Sequence, residues 1–142
     1  MAKFRPTRQL RDTLSNQANG CCEYCKSPQL FSPQSFSVEH ILPLAMGGNH
    51  EAGNLAFSCQ GCNALKATRI DAVDALTGFI VPLFHPRLQN WNDHFVWDES
   101  WQYIIGRTPA GRATASLLQL NRQFVINLRR ILILAGEHPP IE

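Results

Sequence analysis

Long apolar runs are missing from this 142-residue sequence, and no stretch approaches the roughly 20 residues that cross a bilayer. Residues 1–6 (MAKFRP) also lack the apolar segment of a secretory signal. Internal repeats and low-complexity linkers are absent as well. We therefore expect a single cytoplasmic domain over residues 1–142, with no part of it inserted in a membrane.

Acidic residues are unevenly distributed, although the formal net charge is only +2. Residues 100–136 contain five arginines and neither Asp nor Glu, and residues 71–99 have five acids against one base. Residues 1–13 have one acid and four basic side chains, which are Lys3, Arg5, Arg8 and Arg11. Basic ends around an acidic middle suit a protein that holds a polyanion, although ordinary solvated surface charge gives the same pattern.

Five cysteines are present, and without an export signal they favour metal ligation over disulfides. Four of them form two Cys-x-x-Cys pairs, Cys22 with Cys25 and Cys59 with Cys62, and Cys21 is left over. Thiolates at this spacing reach one zinc ion from a tight turn. The 33 residues between the pairs are too few to bury much apolar surface. We therefore expect a structural zinc to hold this segment together.

The pattern around the cysteines predicts a strand, a turn, a second strand and a helix. Residues 36–41 alternate between apolar and polar, as a half-buried strand does. Residues 47–49 (GGN) have strong turn chemistry, and residues 54–57 return as a second strand. Residues 59–69 are compatible with a helix.

The flanking regions predict further short elements. Residues 7–18 carry apolar side chains at helical spacing, which predicts an N-terminal helix. Residues 94–97 and 103–105 look like two short strands. From residue 108, an N-cap threonine followed by proline opens an apolar stripe of helical period that runs to residue 136. This stripe fits one helix or two abutting helices equally well.

A second group of side chains has the chemistry of a harder metal site. Glu39 and His40 lie between the two cysteine pairs together with Asn54, and Asn63 follows the second pair. A carboxylate, an imidazole and amide oxygens suit a metal ion that takes part in a reaction. Two metals with different tasks in about fifty residues indicate a small metal-dependent nuclease.

Four short segments, taken in order, resemble the HNH endonuclease family in its zinc-stapled form: EHILP (39–43), GG (47–48), NL (54–55) and CQGCNALK (59–66). The resemblance covers residues 20–69. It implies an α+β fold, with a small ββα-metal (His-Me finger) core over 20–69 that is stapled by a four-cysteine zinc site. The N-terminal helix and the accessory strands and helices over 79–136 would flank this core.

The resemblance also implies roles for individual residues. His40 matches the general base of the family, and Glu39 matches a ligand of the catalytic ion. Asn54 matches the asparagine that orients the base and holds the hairpin, and Asn63 matches a position that supplies a second ligand. Glu39 and Asn63 stand where aspartate and histidine are commoner, and both replacements favour Mg²⁺ or Mn²⁺ over zinc or nickel.

We therefore expect a divalent-metal-dependent endonuclease that hydrolyses DNA phosphodiester bonds and contacts DNA mainly through its phosphate backbone. Lys66 and Arg69, at the end of the predicted helix, are the expected contacts, although a solvated lysine fits position 66 equally well. Two alternatives remain open: a non-catalytic zinc-stabilised module that binds nucleic acid, and a structural or toxin-like partner of another protein. Glu39 and His40 are neighbours on a strand, so both reach one site only if the strand twists or bulges.

Overall fold

The computed structural model describes residues 4–140, so Lys3 of the basic N-terminal segment lies outside the described residues. Short strands and helices alternate along the chain, and three single turns of 3-10 helix separate some of them. No helix within residues 4–140 has the length and apolar character needed to span a bilayer. The elements are α1 (Arg8–Gln17), β1 (Ser37–His40), β2 (Leu55–Ser58), α2 (Gln60–Lys66), β3 (Asp71–Val73), β4 (Ile80–Pro82), α3 (Trp91–His94), β5 (Phe95–Trp97), β6 (Ile104–Gly106), α4 (Pro109–Leu117) and α5 (Gln123–Leu134), with the 3-10 turns at Gln29–Phe31, Leu44–Met46 and Ala52–Asn54.

The strands β1 and β2 form an antiparallel hairpin, and α2 follows β2 directly. In this hairpin Glu39 lies opposite Ala56 and His40 lies opposite Leu55. Cys59 caps α2, because its sulfur accepts a hydrogen bond from the Cys62 amide at 3.4 Å. The helix then packs against β1. The α+β class and the strand, strand, helix order expected from the sequence are confirmed.

The N-terminal helix packs against the hairpin. The Thr7 hydroxyl accepts a hydrogen bond from the Leu10 amide at 3.1 Å, which satisfies one of the free donors at the start of α1. Leu14 is fully buried, and α1 contacts β2. After α1, Asn19 and Gly20 adopt positive φ angles of 52° and 72°, which turns the chain into the first cysteine pair.

The apolar stripe of the C-terminal region is divided between two helices. α4 begins after the N-cap Thr108, whose hydroxyl accepts from the Gly111 amide at 3.0 Å. α5 begins after Arg122, while Asn121 exchanges two hydrogen bonds with the backbone of Ile104, at 2.7 and 2.8 Å. The side chain of Asn121 therefore binds β6 and does not cap the second helix. The hairpin of β3 and β4 is a further element, which the sequence pattern did not predict.

The C-terminal region and the ββα unit share one hydrophobic core. Leu55 and Phe57 of β2 belong to the same buried cluster as Trp91. The Trp91 indole donates to the Tyr24 carbonyl at 3.0 Å, and buried Glu23 accepts from the Phe57 amide at 2.7 Å. The chain from residue 84 onward contributes seven members of this cluster: Phe84, Trp91, Phe95, Ile104, Leu118, Leu120 and Val125. Burial of these side chains joins the accessory elements to the hairpin.

Candidate active site and metal centre

The four paired cysteines converge on one point. The sulfurs of Cys22, Cys25, Cys59 and Cys62 all lie within 4.8 Å of one another, and all four residues are buried. The Cys25 and Cys59 sulfurs are 3.7 Å apart. A tetrahedron with zinc–sulfur bonds of about 2.3 Å has sulfur–sulfur edges of about 3.8 Å. The cluster therefore fits the closed tetrathiolate site of a structural zinc.

Glu39 is buried, with 6 % of its surface exposed. One carboxylate oxygen accepts a short hydrogen bond from the Tyr24 hydroxyl, and the other lies 3.8 Å from the Lys66 ammonium. Burial raises the pKa of Glu39, while the charge of Lys66 and the hydrogen bond from Tyr24 act in the opposite direction. Glu39 thus points towards α2, with a hydroxyl and an ammonium group around it.

A contact with DNA would require Lys66 to lie at the surface, but the residue is buried. Only 1 % of the residue is exposed, and its ammonium group donates to the Ile41 carbonyl at 3.1 Å. A buried ammonium group needs a counter-charge, and the Glu39 carboxylate supplies it. The structure therefore corrects the expectation of a phosphate contact at this position. Arg69, three residues later, is exposed.

His40 is half-buried and contacts a second histidine. Its Nε2 lies 2.8 Å from Nδ1 of His50 in the hairpin loop. Phe4 covers this pair, because its ring stacks on His50 at 4.2 Å between centroids and meets His40 edge-on at 5.0 Å. Burial lowers the pKa of His40, and the neighbouring His50 lowers it further. The sequence pattern gave no signal for the contacts of Phe4 and His50 with His40.

Asn54 holds the loop between β1 and β2. Its side-chain oxygen accepts from the Leu42 amide at 2.8 Å, and its side-chain nitrogen donates to the carbonyls of Leu42 and Asn49 at 3.0 and 2.9 Å. Gly48 lies against this group, since a Cβ there would fall 1.8 Å from the Leu42 oxygen. Asn54 is thus tied to the backbone that follows His40.

Asn63 lies on α2 and faces β1. Its side-chain nitrogen donates to the Ser37 hydroxyl at 3.3 Å, and within residues 4–140 no hydrogen bond engages its side-chain oxygen. Glu39, His40 and Asn63 line one cavity of about 390 Å³, together with Val38 and the start of the hairpin loop. The pairing of β1 with β2 is continuous, so the cavity forms around the end of the strand without a bulge.

Comparison with the sequence models of protein families gives a match. Residues 22–73 match the sequence model of a family described as HNH endonuclease. The match covers a little over a third of the chain, and it includes the cysteine cluster, the hairpin and α2. Neither the curated proteins nor the solved structures contain a match to the chain. Residues 22–73 are therefore similar to the HNH endonuclease family.

Proposed function

We propose that the protein is a divalent-metal-dependent endonuclease that hydrolyses DNA phosphodiester bonds, with His40 as the general base. The observation that carries the proposal is the shared cavity of Glu39, His40 and Asn63, next to the hairpin that matches the family. The three residues that line this cavity combine two hard ligands, a carboxylate and an amide, with an imidazole that can accept a proton. A protein that only binds nucleic acid needs none of these three side chains.

The contacts of His40 suit it to accept a proton. Its lowered pKa favours the neutral imidazole at neutral pH. With a proton on Nε2 donated to His50, the lone pair of Nδ1 is left for the attacking water, since within residues 4–140 no hydrogen bond engages this nitrogen. General-base action of this kind is worth roughly 10²–10⁴-fold in rate. His50 then acts as a positioning residue, because it selects the tautomer of the base.

Glu39 and Asn63 are the residues that would hold the catalytic ion. Both offer oxygen ligands, which fit Mg²⁺ or Mn²⁺. When bound, such an ion supplies positive charge that stabilises the phosphate as its ester bond breaks. The contacts of Glu39 with Tyr24 and Lys66 keep its carboxylate in one orientation.

DNA is the proposed substrate, held mainly through its phosphates. Arg69 is exposed at the end of the helix that carries Asn63, and Arg5 and Arg8 are exposed at the start of the chain. These side chains give the contacts that Lys66 cannot give. Phosphate contacts carry little sequence information, so we expect binding that weakens steeply with salt.

Cleavage of supercoiled plasmid tests the proposal. The wild-type protein with Mg²⁺ or Mn²⁺ is expected to give nicked or linear product, and His40→Ala is expected to lose roughly 10²–10⁴-fold in rate. His138→Ala is the matched control, because this half-buried histidine contacts Trp97 and Trp101 and does not line the cavity. Equal rates for His40→Ala and wild type would refute the assignment of the base.

The non-catalytic alternative is favoured by one observation, the burial of Glu39 between Tyr24 and Lys66. In that case the carboxylate serves the fold and binds no ion. Glu39→Gln separates the two functions, because an endonuclease loses Mg²⁺-dependent cleavage while a binding module keeps its DNA affinity and never cuts. Titration of Mg²⁺ into both proteins, with cleavage and affinity measured on the same DNA, gives the comparison.

A further inference from the structure

Arg129 is a buried cation that pairs with no carboxylate of the described residues. Only 2 % of the residue is exposed, and within residues 4–140 no carboxylate lies within 4.0 Å of it. It donates to the carbonyls of Gln102, Leu120 and Cys25, at 2.8, 2.7 and 3.3 Å, and to the Asn121 side chain. All of these acceptors are neutral. A buried charge is costly unless a charge of opposite sign lies nearby.

Arg122 contacts the cysteine cluster directly. Its two terminal nitrogens donate to the sulfurs of Cys59 and Cys62, at 3.4 and 3.6 Å. The guanidinium lies against Gly61, where a Cβ would fall 2.6 Å from the nearer nitrogen. The absence of a side chain at position 61 therefore makes room for the arginine beside the metal ligands.

Both arginines approach the cluster from the same helix. Arg122 is the N-cap of α5, and Arg129 lies seven residues later, which is two helical turns. Arg122 contacts the sulfurs of Cys59 and Cys62, and Arg129 contacts the backbone carbonyl of Cys25.

The charges of the two groups balance. Four thiolates and one zinc ion carry a net charge of −2, and two guanidinium groups carry +2. Four neutral thiols would leave buried Arg129 and half-buried Arg122 without a counter-charge. The arrangement thus fits a metal-bound tetrathiolate better than a cluster of free thiols.

We propose that Arg122 and Arg129 are the counter-charges of a zinc–tetrathiolate centre, so that helix α5 completes the metal site of the HNH segment. This assigns a task to the C-terminal region, which lies outside residues 22–73. Zinc retention then depends on the docking of α5, and loss of zinc weakens that docking. The proposal concerns zinc alone and is independent of DNA cleavage.

Competition for zinc with a colorimetric chelator tests the proposal. Arg122→Met is expected to release zinc at 10–100-fold lower chelator concentration than wild type, as is typical when a partner of a metal ligand is removed. Arg130→Met is the matched control, since this exposed arginine lies on the same helix and contacts Gln102. Retention in Arg122→Met equal to wild type, or equal loss in Arg130→Met, would overturn the proposal.

Cobalt substitution and a milder pair of variants distinguish a loss of zinc affinity from misfolding. In Co²⁺-loaded Arg122→Met, the thiolate-to-cobalt absorption bands are expected to persist, which shows that the four ligands remain while the affinity falls. If Arg122→Met does not fold, Arg122→Lys is compared with Arg130→Lys. Lysine keeps the charge but loses the second donor to sulfur. Weaker zinc retention in Arg122→Lys alone supports the proposal, and equal retention in both contradicts it.

Discussion

The four cysteines are at most 9 % exposed, whereas His40 and Asn63 are half-buried and line an open cavity of about 390 Å³. The thiolate cluster is buried by protein, and α5 covers it through Arg122, which contacts two of the sulfurs. The cavity keeps one nitrogen of His40 and one oxygen of Asn63 without a hydrogen bond from the described residues. A metal that stabilises a fold needs a complete shell, and a metal that performs a reaction needs an open position. The closed cysteine cluster fits the first role, and the open cavity is the place that we propose for the second.

Loss of a zinc ligand is the strongest test of the closed site. Cys22→Ser is expected to lose bound zinc and most of its folded structure, because a small hairpin unit depends on its metal. Cys21→Ser is the matched control, since Cys21 is the neighbouring buried cysteine and does not belong to the cluster. Metal analysis and far-UV circular dichroism measure both. A folded, zinc-free Cys22→Ser would remove the structural role of the metal.

Lys66 and Arg69 are two basic residues near the end of α2, one buried and one exposed. Substitution of each tests whether burial gives them different roles. Lys66→Met leaves the Glu39 carboxylate buried without its counter-charge, which is expected to cost roughly 3 kcal/mol in the free energy of unfolding. Arg69→Met, at an exposed position, is expected to change this free energy by less than about 0.5 kcal/mol. Urea denaturation measures both variants. Equal stability of the two variants would contradict the ion pair with Glu39.

His50 tests the open site without removal of the base. In His50→Ala, kcat is expected to fall about tenfold while KM stays unchanged, since His40 remains but loses the contact that orients it. The loss should be smaller than that of His40→Ala. His50→Asn, which keeps a polar side chain in the loop, is expected to recover part of the rate. A normal kcat in His50→Ala would show that the contact between the two histidines has no role in the reaction.

Salt dependence gives the smallest expected effect. The slope of log affinity for DNA against log salt concentration is expected to decrease by about 1 in Arg69→Met, because one phosphate contact is lost. Lys66→Met, measured at a temperature where it is folded, should leave the slope unchanged. The opposite result would return Lys66 to the DNA-binding surface.

Local sequence patterns were sufficient for the elements around the cysteines. The alternation before His40, the glycines of the loop and the cysteine at the start of α2 depend on neighbours within a few residues, and the hairpin and helix occur where these patterns predict them. The N-cap at Thr108 is of the same kind. The hairpin of β3 and β4 escaped prediction although its strands are as long as β5 and β6, because β4 ends at Pro82 and a proline argues against a strand.

By itself, the sequence determined the α+β class, the two cysteine pairs and the similarity of residues 22–73 to the HNH endonuclease family, because spacing along the chain carries that information. Only the tertiary structure decided which charges are buried. It placed Lys66 beside Glu39, and it brought Arg122 to the sulfurs of cysteines about sixty residues earlier. The physical reason is that desolvation and charge pairing depend on distances in space, which emerge only when α5 packs against the zinc segment.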